Sequence, residues 1–230
     1  MKFYKSFILP LIAIAAISVQ SCDLTEHPTT FVTPDDYYKT ELQCEAAING
    51  CYAHLNSIYS SDFMTCTEAV TDLMYVFTNS DDARMKITPS NPSMGDYIWK
   101  WCYTPIMRAN SVIPGIENSP IEDEKKPALL AEIKVVRAFY WYILTSFYGD
   151  VPFYTFPISD VDTQNKVAKM KRMPASDTRN YLIKELQECV PDMVQRRFSD
   201  DKKRRMGAPV GWLLIAKLCM WEHRWDDALD

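Results

Sequence analysis

Histidine is scarce in this 230-residue chain: only His27, His54 and His223 are present. None of the seven cysteines forms a CxxC pair. The ligand spacing of a zinc site is therefore missing, and neither a metal nor another cofactor is expected. The same scarcity leaves no legible Ser-His-Asp or Cys-His arrangement for nucleophilic catalysis. A glycosidase would need two carboxylates ~5–10 Å apart across a cleft. Asp81 and Asp82 are adjacent, so their side chains need not converge on a bond; they leave calcium an open question. The chain reads as a non-enzyme. Positive charge is short as well. The net charge is −5, and beyond residue 21 there are 23 basic against 30 acidic residues, a net of −7. That argues against a nucleic-acid partner, which needs a basic surface. No apolar run reaches the ~20 residues of a membrane-spanning helix. No segment shows a convincing β-pattern.

What the chain does carry begins at its N-terminus. Lys2 and Lys5 precede an apolar stretch from Phe7 to Val19, interrupted only by Pro10 and Ser18. Residues 1–21 read as a secretory signal. Ser21 then puts a small residue directly before Cys22. A cysteine in that position resembles a bacterial lipobox, in which the cysteine becomes the lipid-bearing first residue of the mature protein. Each buried lipid CH₂ contributes ~0.8 kcal/mol of membrane affinity. The competing reading is an ordinary signal peptide cut slightly upstream. Cys44, Cys51, Cys66, Cys102, Cys189 and Cys219 read as small buried apolar residues. Cys44 and Cys51, two turns apart on one expected helix, are too far separated to be bridged.

Helical spacing dominates residues 34–229. A first helix is expected from about Pro34 to Ser57, with Thr33 as cap, Pro34 in the first turn and two acids behind it. A shorter one runs from Cys66 to about Phe77. A long polar loop, Thr78 to Gly95, follows. A third helix covers about Met94–Glu117, kinked by Pro105 or holding it in an early turn. The strongest amphipathic pattern spans about Glu124–Tyr148 and stops at Gly149, expected in the left-handed conformation. Residues 155–173 read as irregular. A fifth helix begins near Ser176 as N-cap. Lys202-Lys203-Arg204-Arg205 reads as a solvated connector, and a helix over about Pro209–Glu222 comes after it. Trp225 starts one more helix of a single turn, too short to nucleate alone, so the chain reads as cut off inside a helical-repeat array.

Four segments together resemble the N-terminal part of SusD/RagB-like proteins, outer-membrane nutrient-binding lipoproteins of the Bacteroidetes group. They are Cys22 with Pro34-Asp35-Asp36-Tyr37-Tyr38 and Ala46-Ala47-Ile48-Asn49-Gly50-Cys51-Tyr52; Trp99, Tyr103, Ile106 and Ala109-Asn110-Ser111-Val112-Ile113; Arg137-Ala138-Phe139-Tyr140 with Tyr148-Gly149-Asp150-Val151-Pro152; and Ala216-Lys217-Leu218 with Trp225-Asp226-Asp227-Ala228. The likeness lies in their order and spacing, and covers most of residues 22–230. The residues themselves read mainly as scaffold. Arg137 could pair with an acid between helices, and Asn110 could bond the backbone of a neighbouring loop. The resemblance implies an all-α fold of tetratricopeptide-like helical repeats in a right-handed superhelix with long irregular loops. Residues 22–230 would form its N-terminal helical domain, incomplete at the C-terminus. It further implies a surface-exposed lipoprotein of the cell outer membrane, anchored through Cys22. Such a protein would capture starch-like or other glycans and deliver them to a SusC-type TonB-dependent transporter. Asp23 and Glu26 fit the family's acidic tether. The alternatives are a peptide-binding member of the family, and a helical-repeat scaffold with only a protein partner.

A sugar offers an apolar face of C–H groups and a rim of hydroxyls, so its site needs exposed rings beside hydrogen-bonding side chains. The Thr78–Gly95 loop supplies Asn79, Asp81, Asp82 and Arg84, with Tyr75 and Phe77 before it and Tyr97 after it. Asn79, Asp81, Arg84 and Tyr97 are the candidate ligand-binding residues, and the resemblance implies a ligand role for this region. The competing reading makes the loop a polar connector with Tyr75 and Tyr97 packed in the core.

Overall fold

The computed structural model describes residues 37–75, 81, 84–92, 94–195 and 205–229. They contain eight α-helices: α1 Glu41–Ile58, α2 Ser61–Thr67, α3 Met94–Glu117, α4 Lys126–Tyr148, α5 Val161–Ala168, α6 Ala175–Cys189, α7 Ala208–Trp221 and α8 Trp225–Leu229. Among the described residues the only β-pairings are two isolated bridges, Thr88 with Asn91 and Val151 with Met173. The fold is all-α and tetratricopeptide-like. Apart from short α2 and α5, each helix packs mainly on the next in order, the arrangement that lets repeats share one continuous core. Helix α4 is central. It touches α1, α3, α6 and α7, and thirteen of its residues are buried, including Tyr140 and Trp141.

Several element boundaries differ from those expected. Helix α1 starts at Glu41, not near Pro34, because Thr40 caps it: its hydroxyl accepts from the Gln43 N–H, and the Gln43 side chain accepts from the Thr40 N–H at 2.9 Å. This reciprocal pair satisfies two otherwise orphaned donors. The expected cap residues 33–36 lie outside the described residues. The second helix sits earlier than expected, at Ser61–Thr67, and residues 68–73 form turns. The supposedly irregular stretch after Thr155 holds α5, nucleated by a capping box between Asp160 and Thr163. Ser176 is not the cap of α6. That helix begins one residue earlier, and Asp150 accepts from its Ala175 N–H at 2.9 Å.

Helix α3 matches its expected bounds and runs through both Pro105 and Pro114. Proline removes a helical hydrogen bond, and the nearby Thr104 hydroxyl donates to the Lys100 carbonyl at 2.9 Å. Gly115 lies so close to the Tyr38 ring that a β-carbon there would overlap it. Gly149 has φ +66°, a conformation glycine adopts without steric cost. It turns the chain from α4 into Val151–Phe156, which lies against α3: the Tyr103 hydroxyl donates to the Pro152 carbonyl at 2.8 Å.

Two buried ionic clusters tie the helices together. Arg137, 2 % exposed, donates to Asn110 Oδ1 at 2.7 Å and to Glu185 Oε1 at 2.6 Å. Asn110 in turn donates to the Tyr154 carbonyl at 3.2 Å. The expected roles of both residues are thus realised. Arg205 differs from expectation. It is buried, donates to Glu132 Oε1 at 2.6 Å and lies 3.0 Å from Glu45 Oε1, while Lys202, Lys203 and Arg204 lie outside the described residues. The Tyr52 hydroxyl donates to the same Glu132 oxygen and accepts from the Met206 N–H. Arg205 therefore fastens the start of α7 to α1 and α4.

Five of the six described cysteines are buried and Cys66 is partly so; all six are free thiols. Burial pushes the Cys51 thiol up to about 12 and that of Cys189 to about 11. They behave as small apolar residues, since only the thiolate is reactive.

Candidate functional site at the root of helix α3

The loop before α3 is organised around Asp81. Its carbonyl accepts from the Lys86 N–H at 2.8 Å, and its Oδ2 accepts from Asn91 Nδ2 at 2.9 Å. Thr88 and Asn91 exchange two backbone hydrogen bonds at 3.1 and 3.0 Å across Pro89-Ser90. The Thr88 hydroxyl also accepts from the Asn91 N–H. These bonds make Thr88–Asn91 a closed turn, with its second residue the proline that favours one. Asn91 thus holds Asp81 against the turn and leaves the other carboxylate oxygen available as an acceptor. Arg84, three residues further along, is exposed.

Tyr97 projects from the first turns of α3 and is 50 % exposed. Its ring lies 5.5 Å from that of Trp101, inclined by 38°. Residues i and i+4 share a helix face; Trp101 is partly buried against the core, so Tyr97 is the exposed ring of the pair. Tyr75, before the loop, is 78 % exposed. Neither tyrosine is packed in the core, so the competing reading of the loop does not hold for them. The other side of the same helix turn is what fixes the site. Trp99 packs edge-on against Tyr148 at 5.0 Å and tilted against Tyr103 at 4.9 Å. The Tyr148 hydroxyl donates to the Gly95 carbonyl. The buried half of this turn is thereby clamped to α4, which leaves Tyr97 on the exposed side.

Of the four candidate ligand residues, Asp81, Arg84 and Tyr97 are described. Asn79 lies outside the described residues, as does Cys22. Sequence reasoning missed Asn91, the loop's clamp, and Trp101, whose i+4 spacing from Tyr97 was the available signal. Among the described residues no group of three metal-ligating side chains converges, and no helix is long and apolar enough to cross a membrane. The chemistry at hand is an exposed ring and, earlier in the chain, a hydrogen-bonded polar loop with exposed Arg84, the kinds of group that meet a hydroxyl-rich ligand.

Comparison with known proteins identifies the family. Residues 32–196 match the SusD-like family described as "Starch-binding associating with outer membrane". The chain belongs to that family. It is 29 % identical over 204 residues to SusD-like protein P2 of Formosa agariphila, covering 84 % of this chain and 39 % of that protein. A crystal structure of a SusD-like carbohydrate binding protein from Bacteroides fragilis superposes with a TM-score of 0.71 at 18 % identity, covering 84 % of this chain and 39 % of that one. A laminarin binding SusD-like protein gives 0.68 at 18 % identity, covering 83 % and 42 %. The chain spans about two fifths of the length of these relatives.

Proposed function

We propose that this protein is a glycan-binding lipoprotein of the cell outer membrane that captures a starch-like neutral glycan and passes it to a SusC-type TonB-dependent transporter. In this reading residues 1–21 are a signal peptide and Cys22 carries the lipid that holds the protein at the cell surface. Tyr97 stacks on a pyranose face, while Asp81, Arg84 and Asn79 bond the hydroxyl rim. The protein binds its ligand without transforming it. The observation that carries this reading is the half-exposed Tyr97 ring, packed on Trp101 and following a hydrogen-bonded polar loop in the chain. Membership of a family described as starch-binding supports it.

The test is a binding screen of the full chain against soluble starch, laminarin, cellulosic and mannan polymers, with a peptide panel alongside. Saturable binding to one neutral glycan class is expected. Binding to peptides alone, or to nothing, would overturn the reading. Lipid attachment is checked separately by mass spectrometry of the membrane-extracted protein, where Cys22→Ser should release the chain from the membrane fraction.

A further inference from the structure

Arg172 lies in the link between α5 and α6 and is exposed, yet it is held on two sides. Its Nη1 donates to the Asp150 carbonyl at 3.0 Å. Its guanidinium carbon stands 5.5 Å from the centre of the Trp99 ring. The link around it is tied down as well. Val151 and Met173 exchange two backbone hydrogen bonds, at 3.2 and 2.8 Å. Asp150 Oδ1 accepts from the Ala175 N–H at 2.9 Å. A guanidinium is a planar fork, able to bond a carbonyl with its edge and to cover a ring with its face. Arg172 does both, toward two different parts of the chain.

Trp99 belongs to the same turn of α3 as Tyr97, two residues further on, and so points to the opposite side of the helix. Three groups meet its ring: Tyr148 edge-on at 5.0 Å, Tyr103 tilted at 4.9 Å, and Arg172. Tyr148 joins the turn to α4. Arg172 joins it to the link before α6. A half-exposed ring such as Tyr97 keeps its direction only while the backbone beneath it is fixed. We propose that Arg172 is a positioning residue for the Tyr97 site: stacked on Trp99 and bonded to Asp150, it locks the first turns of α3 to the start of α6. This rests on the reading that a glycan binds at Tyr97. Arg172 acts through Trp99 and the helix backbone, without touching the sugar. Order present before the ligand arrives lowers the cost of binding. The coupling is reciprocal, so a ligand that orders the α3 turn also tightens the link.

The test uses the full chain, titrated with maltoheptaose and with laminarihexaose by calorimetry, and amide exchange read by mass spectrometry. Without ligand, Arg172→Ala should speed exchange over residues 98–102, the first bonded amides of α3, by about two- to fivefold, the worth of one exposed guanidinium–ring contact. The oligosaccharide that the wild type binds should lose about the same factor in affinity. At saturation that oligosaccharide should slow exchange over residues 171–175 in the wild type and leave it unaltered in Arg172→Ala. A residue that only supported the fold would lower the melting temperature without this coupling. Arg172→Lys keeps the charge but not the planar fork and should fall short of the wild type; it carries the comparison if Arg172→Ala melts early. Full recovery in Arg172→Lys would mean that charge alone acts, and overturns the proposal. Lys169→Ala removes an exposed charge from the same link and should bind as the wild type does; an equal loss there also overturns it. Unchanged affinity or unchanged exchange in Arg172→Ala overturns the positioning role and leaves the glycan reading standing. A wild-type chain that binds neither oligosaccharide overturns the glycan reading, and the positioning role with it.

Discussion

Arg137 carries the heaviest single responsibility in the core. Its side chain is 3 % exposed and that of Glu185 is 12 % exposed, so the pair survives only because each partner neutralises the other. Arg137→Ala should destabilise the protein by about 3–5 kcal/mol, since it leaves a buried carboxylate unpaired. The paired change Arg137→Met with Glu185→Leu should recover most of that loss; urea unfolding midpoints of the two variants check it. At Glu222, burial by itself would raise the carboxyl. Hydrogen bonds from Ser176 and Arg179, with the Arg179 charge, outweigh burial and hold the group below its ordinary 4.5. A depressed carboxyl gives stability that is complete above its unfolded pKa and fades as pH falls through the folded one. Glu222→Gln should therefore lower the thermal midpoint at pH 7, with a smaller gap to wild type in acid, below the group's ordinary 4.5. An equal gap at both pH values would refute the assignment. The Arg137 pairing was legible in the sequence, because an arginine among apolar helical neighbours needs an acid. Arg205 was not. A run of four basic residues looks solvated, and nothing local reveals that its last member meets Glu45 and Glu132, on helices more than seventy residues away.

The long helices could be read from periodicity, and their ends could not. α3 and α4 carry broad apolar faces, and the structure returns them almost unchanged. The ends depend on caps, and some caps come from elsewhere. Asp150, from the turn after α4, caps α6 twenty-five residues later, so local sequence suggested Ser176 instead. The same turn pairs Val151 with Met173, and the Asp150 carbonyl accepts from Arg172. Asp150→Ala should cost about 1 kcal/mol, the usual loss for a capping side chain. It should speed amide exchange in the first turn of α6 while α3 stays protected; uniform acceleration across the chain would mean that Asp150 holds more than this junction. α5 was missed because eight residues with no buried side chain give no apolar pattern to detect. Its signal was the Asp160–Thr163 spacing of a capping box.

At the scale of the molecule, successive helices stacked on one another make a rigid base, and the candidate site stands where that base meets a long loop. The class was legible because motif order along α1, α3, α4 and α7 reflects how these helices pack. The site was only partly so: Tyr97 could be named as an aromatic beside polar residues, whereas its partnership with Trp101 needs the helix face, and the Asp81–Asn91 clamp needs the folded loop. The proposed function depends above all on a sugar stacking on Tyr97. A crystal structure of the full chain with a bound oligosaccharide from the class it retains tests this most directly. A pyranose ring is expected within ~4 Å of the Tyr97 ring face, with its hydroxyls bonded to Asp81 or Arg84. An oligosaccharide bound only at a surface remote from the α3 N-terminus, with Tyr97 facing solvent, would contradict it.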